Sequence, residues 1–224
     1  MKRIVFLTIA LLTFFNASAQ DFNPQLSIGA KGGVSLSQTM FSPNIDQNFI
    51  IGQCGGIMVR YIEENHFGLI GEINWVNRGW KETFKDTSYE FSRKLNYLQI
   101  PLLAHIYFGS DRAKVFFNAG PEIGFLISNS STMNFNPNYV ESLEDFPEFH
   151  ETAQMTMDIK NKIDYGISAG LGVEISINSK HSLLMEGRFY YGLNNVFGAN
   201  KKDVFSASNG IAIMATLGYY FRLK

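Results

Sequence analysis

Between Asp164 and Ile177 the chain alternates without a break. Tyr165, Ile167, Ala169, Leu171, Val173, Ile175 and Ile177 fall on one face of an extended strand, and Asp164, Gly166, Ser168, Gly170, Gly172, Glu174 and Ser176 on the other. The same period of two predicts seven more strands: Leu26 to Ser37, Phe49 to Glu63, one beginning at Phe67, Leu95 to Phe108, Lys114 to Ile127, Ser182 to Leu193 and Gly210 to Lys224. In each, one face is almost wholly apolar while the other carries glycines, hydroxyls and charges. The second is the least regular, because Gln53 intrudes among Ile51, Ile57, Val59 and Tyr61.

The links between these segments alternate in length. Those after strands two, four and six are short (63–66, 109–113 and 178–181), and the others are longer. An up-and-down barrel crossing a membrane has this arrangement, with tight turns at one end and long loops at the other. A soluble ligand-binding barrel would turn its apolar face inward and its charges outward, whereas here the charges lie on the minority face. The expected fold is therefore an all-β, eight-stranded antiparallel up-and-down transmembrane β-barrel, with the short turns and both termini in the periplasm. Thr216, Gly218, Phe221 and Leu223 resemble the C-terminal signal that such barrels present to their insertion machinery.

Residues 1–19 read as a secretory signal peptide. Lys2 and Arg3 precede an apolar run from Ile4 to Phe15 and the small residues Ala17-Ser18-Ala19. That run is about 12 residues, against the roughly 20 of a spanning helix. The barrel domain is then expected over 20–224. Without the leader, 17 basic residues face 20 acidic ones, near −3, so no nucleic-acid partner is expected. The 20 Phe, 10 Tyr and 20 Gly suit strands with aromatic girdles. Cys54, the single cysteine, is placed inward and excludes an internal disulfide framework. Trp75, Tyr165, Tyr191, Tyr219 and Phe221 are expected near strand ends at headgroup level.

The inward face carries both signs of charge. Lys31, Arg60, Glu72, Glu122, Glu174, Glu186 and Arg188, with His105 nearby, are expected to pair as a polar plug, because eight strands enclose a space that side chains fill. The alternative is a conducting or proton-sensitive lumen. Beyond the third strand's membrane edge, Trp80, Phe84, Tyr89 and Phe91 flank the turn residues Asp86-Thr87-Ser88, and that hairpin is expected to project outward. The link at 128–162 is too long for a simple hairpin. Its Glu141, Glu144, Asp145, Glu148, Glu151 and Asp158 outweigh Lys160 and Lys162, and it reads as a solvated or folded-over lid, with surface recognition or a divalent-ion contact as the alternative. Of the four histidines, His66 and His181 fall in the proposed periplasmic turns, His105 in the lower lumen and His150 in the outer loop, so no two converge and no metal site or cofactor is expected. No nucleophile elbow or phosphate-binding loop occurs, so no catalytic residue is assigned.

Several stretches resemble the PorT-type outer-membrane β-barrel proteins of Bacteroidetes. They are Gly29 to Ser37, Leu95-Asn96-Tyr97-Leu98-Gln99-Ile100-Pro101-Leu102-Leu103, Ala119 to Gly124, Gly170 to Glu174 and Tyr191 to Asn195. The resemblance implies an eight-stranded outer-membrane barrel and, by analogy with the founding member, a part in type IX protein secretion. Outer-membrane lipid and lipopolysaccharide, the insertion machinery and secretion components are the partners to expect. A non-enzymatic scaffold or secretion accessory is the leading reading. A small porin and a lipid-modifying enzyme are the alternatives.

Overall fold

The computed structural model describes residues 23–84, 87–143, 146, 151–198 and 203–224. The expected signal peptide, Asp86, His150 and the loop acids Glu144, Asp145 and Glu148 lie outside them. Among the described residues eight strands form a closed antiparallel barrel: β1 (Gln25–Ser42), β2 (Ile50–Glu64), β3 (Phe67–Thr83), β4 (Glu90–Gly109), β5 (Ala113–Met133), β6 (Ile163–Ser176), β7 (His181–Asn195) and β8 (Ala207–Arg222). Each strand pairs with the next, and β8 closes on β1 from Arg222↔Ser27 to Ala207↔Ser42. Closure pairs the first strand with the last, the condition for strands to cross hydrocarbon with their backbone groups satisfied.

Alternation sets the two faces as the sequence implies. Leu171, Leu217 and Ile51 stand outward, 66–70% exposed, while Glu174, Thr216 and Cys54 face the buried interior. Glycine on the inner face lets large neighbours in. A Cβ at Gly172 would lie 2.2 Å from the Phe116 ring, so a larger residue there would displace that side chain.

Several strands run further than expected. β3 has 17 residues and β5 has 21, against the roughly 9 to 11 that cross a bilayer. On β3 the outward apolar series ends at Trp75, and Asn77 and Lys81 follow on the same face. Trp75 therefore marks the edge of the apolar band and lies mid-strand, which corrects its expected place near a strand end. At the same level an outward polar row crosses three strands: Asn77 Nδ2 donates to Asn96 Oδ1, and Asn96 Nδ2 to Ser128 Oγ at 2.7 Å. The long link begins at residue 134 rather than 128, because β5 continues to Met133.

The β3–β4 hairpin runs on past the apolar band, and its aromatic side chains turn inward. Alternation continues past the membrane edge, so Trp80, Phe84 and Phe91 stay on the inner face and are buried. They join Phe41, Ile45, Leu95, Phe197 and Phe205 in an apolar cluster across the barrel mouth, with Tyr89 packed against it. The long link covers this cluster. Its short helix α1 (Ala153–Thr156) buries Gln154 and Met155, and Ile159 follows into the same core.

Candidate functional site: the charged lumen

At mid-barrel two cations and two carboxylates close on one another. Arg188 Nη1 and Nη2 donate to the two oxygens of Glu72 at 2.7 and 2.8 Å, and Nη2 also reaches both oxygens of Glu186 at 2.9 Å. Lys31 Nζ donates to Glu72 at 2.9 Å and to Glu186 at 3.4 Å. Register supplies the residues: alternation aims β1, β3 and β7 side chains at one level, and closure brings β3 opposite β7. The tetrad is formally neutral. Asn74 Nδ2 donates to Glu72, and Asn118 Nδ2 to Glu186, each at 2.8 Å, and His105 Nδ1 lies 2.7 Å from Asn118 Oδ1. Charge-assisted, partly bidentate bonds of this kind are the strong ones in a space with little water.

Two further pairs lie toward the ends. On the turn side Arg60 pairs with Glu174, Nη2 to Oε1 at 3.0 Å, and its guanidinium lies 4.1 Å from the Tyr220 ring centroid. The apolar residues Met58, Ile62, Ile70, Leu103, Phe116 and Leu184 floor the barrel there. On the loop side Arg78 Nη2 donates to Asp164 at 2.7 Å, Tyr190 donates to the same oxygen at 2.8 Å, and the rings of Tyr97 and Tyr190 sandwich the guanidinium.

Six of the seven expected network residues are thus brought into ion pairs. Glu122 is not: it accepts from Ser168 Oγ at 2.6 Å, and its Oε1 has no hydrogen-bond partner. Its strand position sets it between the tetrad and the Arg78 pair, out of reach of either. Conversely, Arg78 and Asp164 form an ion pair outside the expected network. The signal for both was present, since alternation turns them inward with opposite charge, but their pairing across 86 residues of chain is visible only in the closed barrel.

Little space remains. Two internal cavities of about 10 Å³ each flank the tetrad, one beside Lys31, Asn74 and Thr216, the other beside Arg60, His105 and Asn118. Each suits about one water. Above them, Trp80 Nε1 donates to Glu82 at 2.9 Å, Gln154 Nε2 donates to Glu82 at 3.0 Å, and Arg93 Nη1 donates to the Gln154 and Met157 carbonyls at 3.1 and 2.6 Å, tying the long link to the mouth. Among the described residues no group of three His, Cys, Asp or Glu is placed to hold a metal ion.

A sequence profile of the outer membrane protein beta-barrel domain matches residues 18–198. The chain belongs to this family. Similarity of this outer membrane barrel to solved structures is at low sequence identity. Neisserial surface protein A is 13% identical, with 89% of this chain and 99% of that one covered and a TM-score of 0.47. OprG from Pseudomonas aeruginosa is 13% identical, over 88% and 95%, with a TM-score of 0.46. Ail of Yersinia pestis, in complex with sucrose octasulfate, is 12% identical, over 89% and 100%, with a TM-score of 0.45. No curated protein matches the sequence.

In the outer membrane barrel, the four residues resembling an insertion signal divide between faces. Thr216 and Gly218 point into the lumen, whereas Leu223, just past the end of β8, is exposed beside the outward Phe221. The Leu223 amide donates to the Leu26 carbonyl at 2.8 Å, so this stretch sits at the β8–β1 seam where the barrel closes.

Proposed function

We propose that this outer membrane barrel is closed and non-enzymatic, serving as an envelope scaffold or as an accessory to protein secretion. One observation carries the closed reading: the Lys31, Glu72, Glu186 and Arg188 tetrad spans the lumen, with cavities of about 10 Å³ beside it. Side chains that neutralise one another while filling the bore leave no charged, hydrated path for an ion. Purified protein in planar bilayers should show no sustained conductance, and a steady open channel would establish the porin reading in its place. Loss of the gene should leave the lipid A mass spectrum unchanged, which tests the lipid-modifying alternative.

The secretion role rests on the resemblance of Leu95 to Leu103 and the neighbouring stretches to PorT-type barrels. In this reading the short turns and both termini are periplasmic, and the insertion machinery reads Thr216, Gly218, Phe221 and Leu223. Secretion components should then co-purify from detergent-solubilised outer membranes. Their absence alongside retained barrel would leave the scaffold role.

A further inference from the structure

The wall opens where β2 and β3 part. Their ladder runs from Glu64↔Phe67 to Cys54↔Val76 and stops, while β1 continues to pair with β2 as far as Ser37↔Ile50. Beyond it the Gln53 amide donates to Asn77 Oδ1 at 3.2 Å, and the next backbone pairing of the two segments is a single bridge, Asn48↔Lys81. Between these points the β3 backbone is bonded instead to β1: Ser35 Oγ donates to the Asn77 carbonyl at 2.6 Å, and the Gly79 amide to Ser37 Oγ at 3.0 Å. Gly79 has φ +149°, and a Cβ there would lie 1.9 Å from the Arg93 carbonyl, so this departure of β3 requires glycine. It leaves a cleft of about 420 Å³, lined by Val34, Ile51, Gln53, Asn77 and Lys94 among others.

The cleft lies at the polar row that ends the apolar band, the level of lipid headgroups. Lys94 at its rim is exposed and has no ion-pair partner among the described residues, whereas its neighbour Lys81 is paired with Glu90 at 3.1 Å. On the same wall, toward the turn end, runs an apolar groove of about 850 Å³, lined by Ile28, Ile57, Gly71, Ile73, Ile100 and Leu102 among others. Gln53 and Ile57 on β2, and Ile73 and Asn77 on β3, lie four positions apart, about 13 Å of strand. Half a hydrocarbon core is about 15 Å, so one acyl chain fits that distance.

We propose that the β1–β4 wall holds an anionic membrane lipid, its phosphate headgroup at the cleft beside Lys94 and an acyl chain in the groove below. The proposal rests on the membrane insertion of the barrel and is independent of whether the lumen conducts. Charge complementarity selects the headgroup: the cleft offers a cation that has no carboxylate of its own.

Trp75 stands on β3 between groove and cleft, and Trp80 is buried in the mouth, so lipid with brominated chains reports on this wall. Protein in phosphatidylcholine vesicles is titrated with brominated phosphatidic acid or with brominated phosphatidylcholine, and Trp75→Phe supplies the Trp80 background. Brominated phosphatidic acid should compete for the site about fivefold better, the value of one lysine near a membrane surface. Lys94→Gln, at an exposed side chain beyond the apolar band, should abolish that preference. A Cβ at Gly71 meets nothing within 4 Å, so Gly71→Leu fills the groove without displacing the barrel and should weaken quenching by both lipids. Equal quenching by the two lipids in the natural protein, or a preference that survives Lys94→Gln, would overturn the proposal.

Discussion

Arg188 and Glu72, 116 residues apart in the chain, meet in the lumen through two parallel hydrogen bonds of 2.7 and 2.8 Å. Neither is near the other until the barrel closes, and both are buried once it has. Removing one would leave the buried tetrad with a net charge.

That makes Arg188→Ala the direct test of the tetrad. Its loss leaves Lys31 as the only cation facing Glu72 and Glu186, and the expected cost is about 3 to 5 kcal/mol. The urea unfolding midpoint of the refolded barrel should fall accordingly. The double variant Arg188→Met with Glu72→Met removes one charge of each sign and should recover part of the loss. An unchanged midpoint for Arg188→Ala would mean that the pair contributes nothing to stability.

The lipid-facing assignment predicts a dependence on depth. Leu171 stands outward, 68% exposed, in the middle of β6, and Ile177 lies just past that strand's turn end. Arginine at the midplane costs roughly 2 to 4 kcal/mol and near the interface about 0 to 1. Leu171→Arg should therefore depress folding yield in vesicles far more than Ile177→Arg. Equal yields would place the bilayer elsewhere on the wall.

Orientation can be read from cells. Asn65, Asn138 and Ser179 are exposed, Asn65 and Ser179 in the short turns and Asn138 in the long link. With Cys54 replaced by serine, a cysteine at position 138 should react with an impermeant maleimide on intact cells. Cysteines at 65 or 179 should react only after the outer membrane is opened. Labelling of 65 in intact cells would invert the barrel.

The long link is held by Arg93, whose Nη1 serves the carbonyls of Gln154 and Met157. Arg93→Ala should loosen α1 without opening the wall, since strand pairing does not depend on it. Limited proteolysis mapped by mass spectrometry should then show new cuts within 151–162 and an intact barrel fragment. Cuts within the strands instead would mean that Arg93 supports the barrel itself.

What alternation could determine, it did. A side chain's face in a strand depends only on its parity, so Lys31, Arg60, Glu72, Glu174, Glu186 and Arg188 were legible as inward, and Leu171 and Leu217 as outward, from the order of residues alone. Strand ends were less legible. Parity continues beyond the apolar band, so the inner face of β3 and β4 carries Trp80 and Phe91 into a mouth cluster that the pattern of either strand alone does not reveal. Which charge meets which was decided by tertiary structure. The reach of an ion pair is a few ångströms, and the level of each side chain follows from the stagger between neighbouring strands, summed around a closed ring. One inner-face position along the β5–β6 ladder separates Glu122, which meets Ser168 and forms no ion pair, from Asp164, which meets Arg78. The cleft beside Asn77 has the same origin: Ser35 and Ser37 of β1 bond to the β3 backbone at Asn77 and Gly79, a relation between strands that no single strand's pattern contains.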